Sequence, residues 1–204
     1  IGGLAIPIFP NSGVHNAGPR RVAAVEKLEM GSLVALLAAD VGEAPAAGIA
    51  TVAAIAAMAH AVRLCLWRPW RTRGAPLVWI LHAAYAWIVI HLALRACAAV
   101  GLVAENLAIH ALTIGAIGGL TLGMMTRTAR GHTGRPLRAD AWETASFLLV
   151  QAAAVERIFG GWLLPGAYAL TISAAGFLWS AAFAIYVIRY WPVLTRARVD
   201  GKPG

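Results

Sequence analysis

The sequence predicts an all-α, polytopic transmembrane helix bundle of about six spanning helices, with N and C termini cytoplasmic, on three observations. Hydrophobic residues make up 60% of the 204 and charged residues only 13%, which leaves too little polar surface to cover a soluble globule. Apolar runs recur through the chain at close to the length a helix needs to cross hydrocarbon, about 20 residues. Fifteen of the 17 Lys and Arg residues fall in alternate connections between those runs, the bias that marks cytoplasmic loops.

The first run, residues 28–42, is the shortest and carries Glu29 and Asp40 near its ends. Runs 45–66 and 76–98 follow, joined by a polar connection from Trp67 to Gly74 that Pro69 and Pro76 bracket. The fourth run is 106–126. The fifth, 141–160, opens at Asp140 with Glu143 three residues on, the spacing of a helix capping box. It also carries Gln151 and Glu156, so a polar stripe must turn towards the bundle. The sixth, 163–189, has Pro165 in its first turn, where a missing N–H costs nothing. All six belong to one transmembrane domain, residues 1–204.

The basic residues cluster at 20–27, 63–73, 127–138 and 189–202, and the intervening segments hold only Arg95 and Arg157. Six crossings with both ends in the cytoplasm produce this alternation. It supports the short first helix, because without it the basic N-terminal stretch would lie on the wrong side. The net charge of +8 is therefore topogenic; the expected partner is the lipid bilayer and no nucleic acid. Trp67, Trp70, Trp142, Trp162 and Trp191 lie at segment ends and read as interfacial anchors. Cys65 and Cys97 would sit near opposite faces, about 30 Å apart against a disulfide limit of roughly 7 Å, and read as core thiols. The chain opens at Ile1 with no signal peptide and reads as a fragment.

Histidines inside a membrane are costly unless partnered, so each is a functional candidate. His82 lies six residues into the third run, with Tyr85 on the same face. His91, nine residues later, points about 180° away at 3.6 residues per turn, so the two cannot ligate one metal from a straight helix. Depth suggests two other pairs: His91 with His110 on the outer side, and His60 with His82 on the inner side. Imidazole suits iron and copper, and an axial histidine is the usual haem anchor. Hydrogen bonding to a neighbouring helix is the plainer alternative for all four. Met124 and Met125, at the end of the fourth run, could serve cuprous copper or simply pack. His132 lies among Arg127, Arg130 and Arg135, which favours an anion such as a phosphate, a haem propionate or a lipid head group. Ala111, Gly115, Gly119 and Gly123 recur every four residues. That stripe admits either a close-packed helix or a flat porphyrin.

The stretch from His110 to Leu137, HALTIGAIGGLTLGMMTRTARGHTGRPL, resembles the most recognisable part of the NnrS family. It has the histidine-led helix, the glycine series, the Met-Thr-Arg helix end and the GHTGR loop. The VRLCLWRPW after His60, the WILHAAYAW around His82 and the opening GGLAIPIF resemble family segments in the same order. The resemblance implies a multi-span inner-membrane protein of the nitric oxide response and denitrification, associated with haem b and copper. It carries over to His82, His110, His132, Arg127, Gly131, Thr133, Gly134 and Arg135. Of these, His82, His110, His132, Arg127 and Arg135 are expected to bind cofactor. His82 and His110 are the expected metal ligands, ahead of His60, His91, Met124 and Met125. His91 matches no family histidine, and Leu4 and Pro10 stand where members usually carry Arg and Thr. The resemblance also implies a chain about twice as long, so the absent N-terminal half, or another membrane subunit, is an expected partner.

Two readings from other classes stand beside this one. A transporter or channel would line a polar path with the histidines, Gln151, Glu156 and Arg157. A structural membrane subunit would use the glycine stripe to pack on a partner. No arrangement of nucleophile and base, phosphate loop or dinucleotide motif points to a catalytic cycle, so enzymatic activity is left open.

Overall fold

Each apolar run becomes a helix, because a segment in hydrocarbon must satisfy its backbone internally. A computed structural model describes residues 20–201. The opening GGLAIPIF segment, with Leu4 and Pro10, and Lys202 lie outside them. The helices are α1 (Ala23–Val41), α2 (Ala46–Leu66), α3 (Pro76–Ala99), α4 (Glu105–His132), α5 (Ala141–Val155) and α6 (Tyr168–Leu194). No strand occurs among the described residues. Single-turn 3-10 segments at Pro69–Thr72 and Pro165–Ala167 supply two of the connections, as the prolines foretell. Wide π-type turns interrupt α4 at Ala111–Gly118 and extend α5 through Glu156–Gly160.

Four helices, α2, α3, α4 and the segment Pro165–Leu194, are long and apolar enough to cross a membrane. The other two runs differ for identifiable reasons. Helix α1 carries Glu26, Lys27, Glu29 and Asp40 within its 19 residues, and regular α-helix in α5 ends after 15.

Helix α3 is the hub, packing on α2 along one side and on α4 along the other, while α5 pairs with α6 and α1 leans on α2. The glycine stripe of α4 lies against α3. A Cβ at Gly115 would fall 2.3 Å from Trp87 Cγ, one at Gly119 2.8 Å from Ala84 Cβ, and one at Gly123 3.0 Å from Ile80. Side chains of α3 therefore occupy the floor that a porphyrin could have used, and the stripe is a helix-packing device. Trp87 is held there by donating Nε1–H to Gln151 Oε1 at 2.8 Å.

Helix α4 runs six residues beyond the apolar run, since charge ends a hydrophobic pattern without ending a helix. Gly134 stops it, at φ +74°. The Gly134 amide donates to Gly131 O at 3.3 Å and the Arg135 amide to Arg130 O at 2.9 Å, the paired bonds of a Schellman cap. The C-terminal tail then covers this end, with Arg198 Nη1 donating to His132 O at 2.8 Å and the Val199 amide to Thr133 O at 3.2 Å.

Trp70, Trp142, Trp162 and Trp191 are exposed at helix ends, as anchors should be. Trp67 is not an anchor: it is 1% exposed. The chain turns under it after α2, its ring lies 4.7 Å from that of Tyr85, and the Arg63 guanidinium sits 5.0 Å from its centroid. The cysteines also differ from expectation in their burial. Both are free, as expected, but Cys65 is exposed and Cys97 half-buried where core thiols were expected.

Candidate functional site

The histidines expected to pair by depth face different surroundings, because depth does not fix the direction a side chain takes around its helix. His82 packs near the Trp67 ring and His60 near the Tyr85 ring, and the two bond separately. His82 Nδ1 lies 3.3 Å from Thr72 Oγ1, whereas His60 Nδ1 lies 2.7 Å from the Tyr85 hydroxyl. On the other side, His91 Nδ1 donates to the Ala108 carbonyl at 2.8 Å, and His110 opens into a separate cavity.

His82 is 2% exposed and borders a cavity of about 550 Å³ lined by Leu64, Trp70, Arg73, Trp79, Ala86 and Leu148. Its tautomer follows from counting hydrogens. The Thr72 hydroxyl gives its one hydrogen to Pro69 O at 2.7 Å, so towards His82 it can only accept, and the proton sits on Nδ1. Nε2 then carries the lone pair, and that atom is buried without a hydrogen-bond partner. A buried, partnerless ring nitrogen is unfavourable unless something takes it.

His110 borders a second cavity, of about 530 Å³, with Asn106, Arg157, Trp162 and Tyr168. Its Nδ1 is buried and without a partner. The two π-type turns flank this site: one follows His110 directly and the other carries Arg157. Such turns frequently reposition side chains at functional sites.

A third and larger cavity, of about 800 Å³, runs between α1, α3 and α4, with His60 and Arg63 of α2 at one end and His91, Asp40 and Arg95 towards the other. Glu29 and Arg63 pair at the first end, and Asp40 and Arg95 at the second. Sequence reasoning singled out His60 but missed its company. The three-residue spacing of His60 and Arg63, which puts both on one face of α2, together with the acidic Glu29 in an apolar run, was the available signal.

The remaining candidates are dispersed. Met124 and Met125 pack against the main core cluster. His132 is exposed, and its neighbours do not converge on it. Arg130 is tied to Glu143 by Nε–Oε1 and Nη2–Oε2 bonds of 2.8 and 2.9 Å. Arg127 lines a small cavity with Arg138 at the first turn of α3, and Arg135 buries Nη1 without a hydrogen-bond partner. Gln151 is engaged by Trp87, and Glu156 lies against Gly160 while Arg157 faces His110. Among the described residues no three or more His, Cys, Asp or Glu side chains converge on a metal position.

At the same end of the bundle Asp140 caps α5 in a capping box, accepting from the Glu143 amide at 3.1 Å while Glu143 accepts from the Asp140 amide at 2.8 Å. Burial pushes the Asp140 carboxyl up, but the Glu143 and Trp142 amides and the charges of Arg189 and Arg130 outweigh it, and the group lies below its ordinary range. A depressed folded-state pKa stabilises above the unfolded value, about 3.9, and that contribution is lost as pH falls through the folded value. Asp140→Asn keeps a capping side chain and should flatten this acid limb. Thermal unfolding in detergent between pH 5 and 2 measures it; an unchanged limb would show that Asp140 contributes nothing there.

Helices of membrane-spanning length packed into one bundle, with His82 and His110 bordering cavities among them, define a polytopic membrane helical bundle. The family model described as NnrS protein matches residues 1–198. The chain belongs to the NnrS family. No curated protein and no solved structure matches it.

Proposed function

We propose that this chain is an inner-membrane protein of the nitric oxide response, and that His82 is the axial ligand of a haem b. Family membership supports the first part. The observation that carries the second is the unpartnered, lone-pair-bearing Nε2 of His82 beside a cavity walled by Trp70, Trp79, Leu64 and Leu148. Thr72 fixes the imidazole tautomer and orientation, as outer-shell partners of metal-binding histidines do. The walls are mostly apolar, and Arg73 supplies a cation for a propionate. Haem held there would supply an iron able to bind nitric oxide. His110 lines a different cavity and has no part in this ligation. Copper association rests on the family resemblance alone; among the described residues no group of three or more His, Cys, Asp or Glu side chains forms a candidate metal position.

The test is the absorption spectrum of the full chain purified in detergent with haem supplied. A Soret band is expected in wild type and in His110→Ala, and its loss in His82→Ala. No band in wild type, or a band that survives His82→Ala, overturns the assignment.

A further inference from the structure

The 800 Å³ cavity carries a hydrogen-bond chain that the haem reading does not use. Glu29, His60, Arg63 and Tyr85 are all under 10% exposed. The Tyr85 hydroxyl donates to Glu29 Oε1 at 3.3 Å, so its oxygen accepts the Nδ1–H of His60 at 2.7 Å. That leaves the lone pair on His60 Nε2, an atom buried with no hydrogen-bond partner in a residue that lines the cavity.

Four constraints define what fits. The carboxylate and the guanidinium nearest His60 already pair with each other, so the ligand is neutral. His60 lies six residues inside the end of α2, about 9 Å down the axis, too deep for a charged phospholipid head group. Nε2 accepts, so the ligand must donate an O–H or N–H. Between this end and the Asp40–Arg95 pair the walls are Leu33, Leu37, Ile88, Leu112 and Leu120, and Leu37 is 63% exposed, so the groove opens sideways to the lipid-facing surface there and suits an apolar tail.

We propose that this groove binds a membrane-soluble isoprenoid hydroquinone, with one ring hydroxyl donating to His60 Nε2 and the tail lying along Leu33, Leu37, Leu112 and Leu120. A phenolic hydroxyl titrates near the 10 of tyrosine and is a stronger donor than an aliphatic alcohol, which sets hydroquinone apart from a fatty alcohol or diacylglycerol. The oxidised quinone has only acceptors to offer, and the Tyr85-fixed tautomer of His60 selects against it.

The test uses the full chain in phospholipid nanodiscs, titrated calorimetrically with a short-tailed ubiquinol kept reduced and, separately, with its quinone. Saturable one-to-one binding is expected, at least tenfold tighter for quinol than for quinone. Tyr85→Phe removes the nearer acceptor of the Nδ1 proton and leaves only Glu29 Oε1, 3.5 Å from Nδ1, to hold it, so the preference should narrow; a merely structural role for Tyr85 would weaken both forms alike. Leu112→Trp blocks the groove from the opposite wall with the chain of bonds intact, and should remove binding even if variants at His60 do not fold. The proposal is overturned by no saturable quinol binding, by quinone binding as tightly as quinol, by dodecanol competing as well as quinol, or by an unchanged preference in Tyr85→Phe. Haem binding at His82 is read from the Soret band of the same samples and is independent of each outcome.

Discussion

Gly115→Ala should destabilise the bundle by about 2–4 kcal/mol, far more than one methyl group usually costs. The added Cβ would fall 2.3 Å from Cγ, 2.5 Å from Cδ2 and 2.8 Å from Cβ of Trp87. Cβ and Cγ belong to the base of that side chain, so rotation of the ring does not relieve the contact; either α4 moves away from α3 or Trp87 leaves its rotamer. Overpacking of this kind costs about 1–3 kcal/mol, and displacing Trp87 also breaks its bond to Gln151, a further ~1 kcal/mol. The control is Gly176→Ala in α6, where a Cβ meets nothing within 4 Å. That change should be neutral or stabilising by up to about 1 kcal/mol through helix propensity. Unfolding in mixed detergent micelles followed by circular dichroism compares the two. Equal midpoints would mean that α3 and α4 do not approach as described.

Arg130→Met should be similarly damaging for an electrostatic reason. Glu143 is 4% exposed; both its oxygens accept from Arg130, and Tyr190 adds a further hydrogen bond. Removing the guanidinium leaves a buried carboxylate with hydrogen bonds but no countercharge. Breaking such a pair from one side costs about 3–5 kcal/mol. The double change Arg130→Met with Glu143→Leu should recover most of the loss, because replacing both partners by apolar groups is often close to neutral. The same unfolding assay reads it, and a double variant no more stable than Arg130→Met would show that the capping-box role of Glu143 outweighs its ion pair.

The helical architecture was legible because hydrocarbon imposes so strong a rule on the backbone. Six runs gave six helices, and the Asp140–Glu143 box and the Pro69 and Pro165 turns sit where their spacing put them. The glycine series was legible as a close-approach stripe, but its partner was not, since nothing in residues 111–123 says that Trp87 and Ala84 will meet them. The end of α4 was misplaced because hydropathy stops at charge while a helix stops at a backbone signal, here Gly134. Trp67 was misread because an aromatic at a segment end is ordinarily an anchor, and only the turn beyond it folds it inward. The histidines show the limit most clearly. Axial depth can be counted along a helix, yet azimuth relative to the neighbours decides partners: Thr72 for His82, Tyr85 for His60, Ala108 for His91. The tautomers of His82 and His60 depend on where one hydroxyl hydrogen goes, information that resides in the tertiary arrangement alone.

The tail that crosses the end of α4 has a mechanical consequence. Arg198 and Val199 hold the carbonyls of His132 and Thr133, so the chain from α4 through α5 and α6 returns on itself and closes a loop with no covalent link. A force or a protease acting at the C-terminus is thereby transmitted first to the last turn of α4 and its Schellman cap. Cutting before Arg196 would release that turn, and amide exchange at Gly134 and Arg135 would rise while the apolar body of the bundle kept its protection.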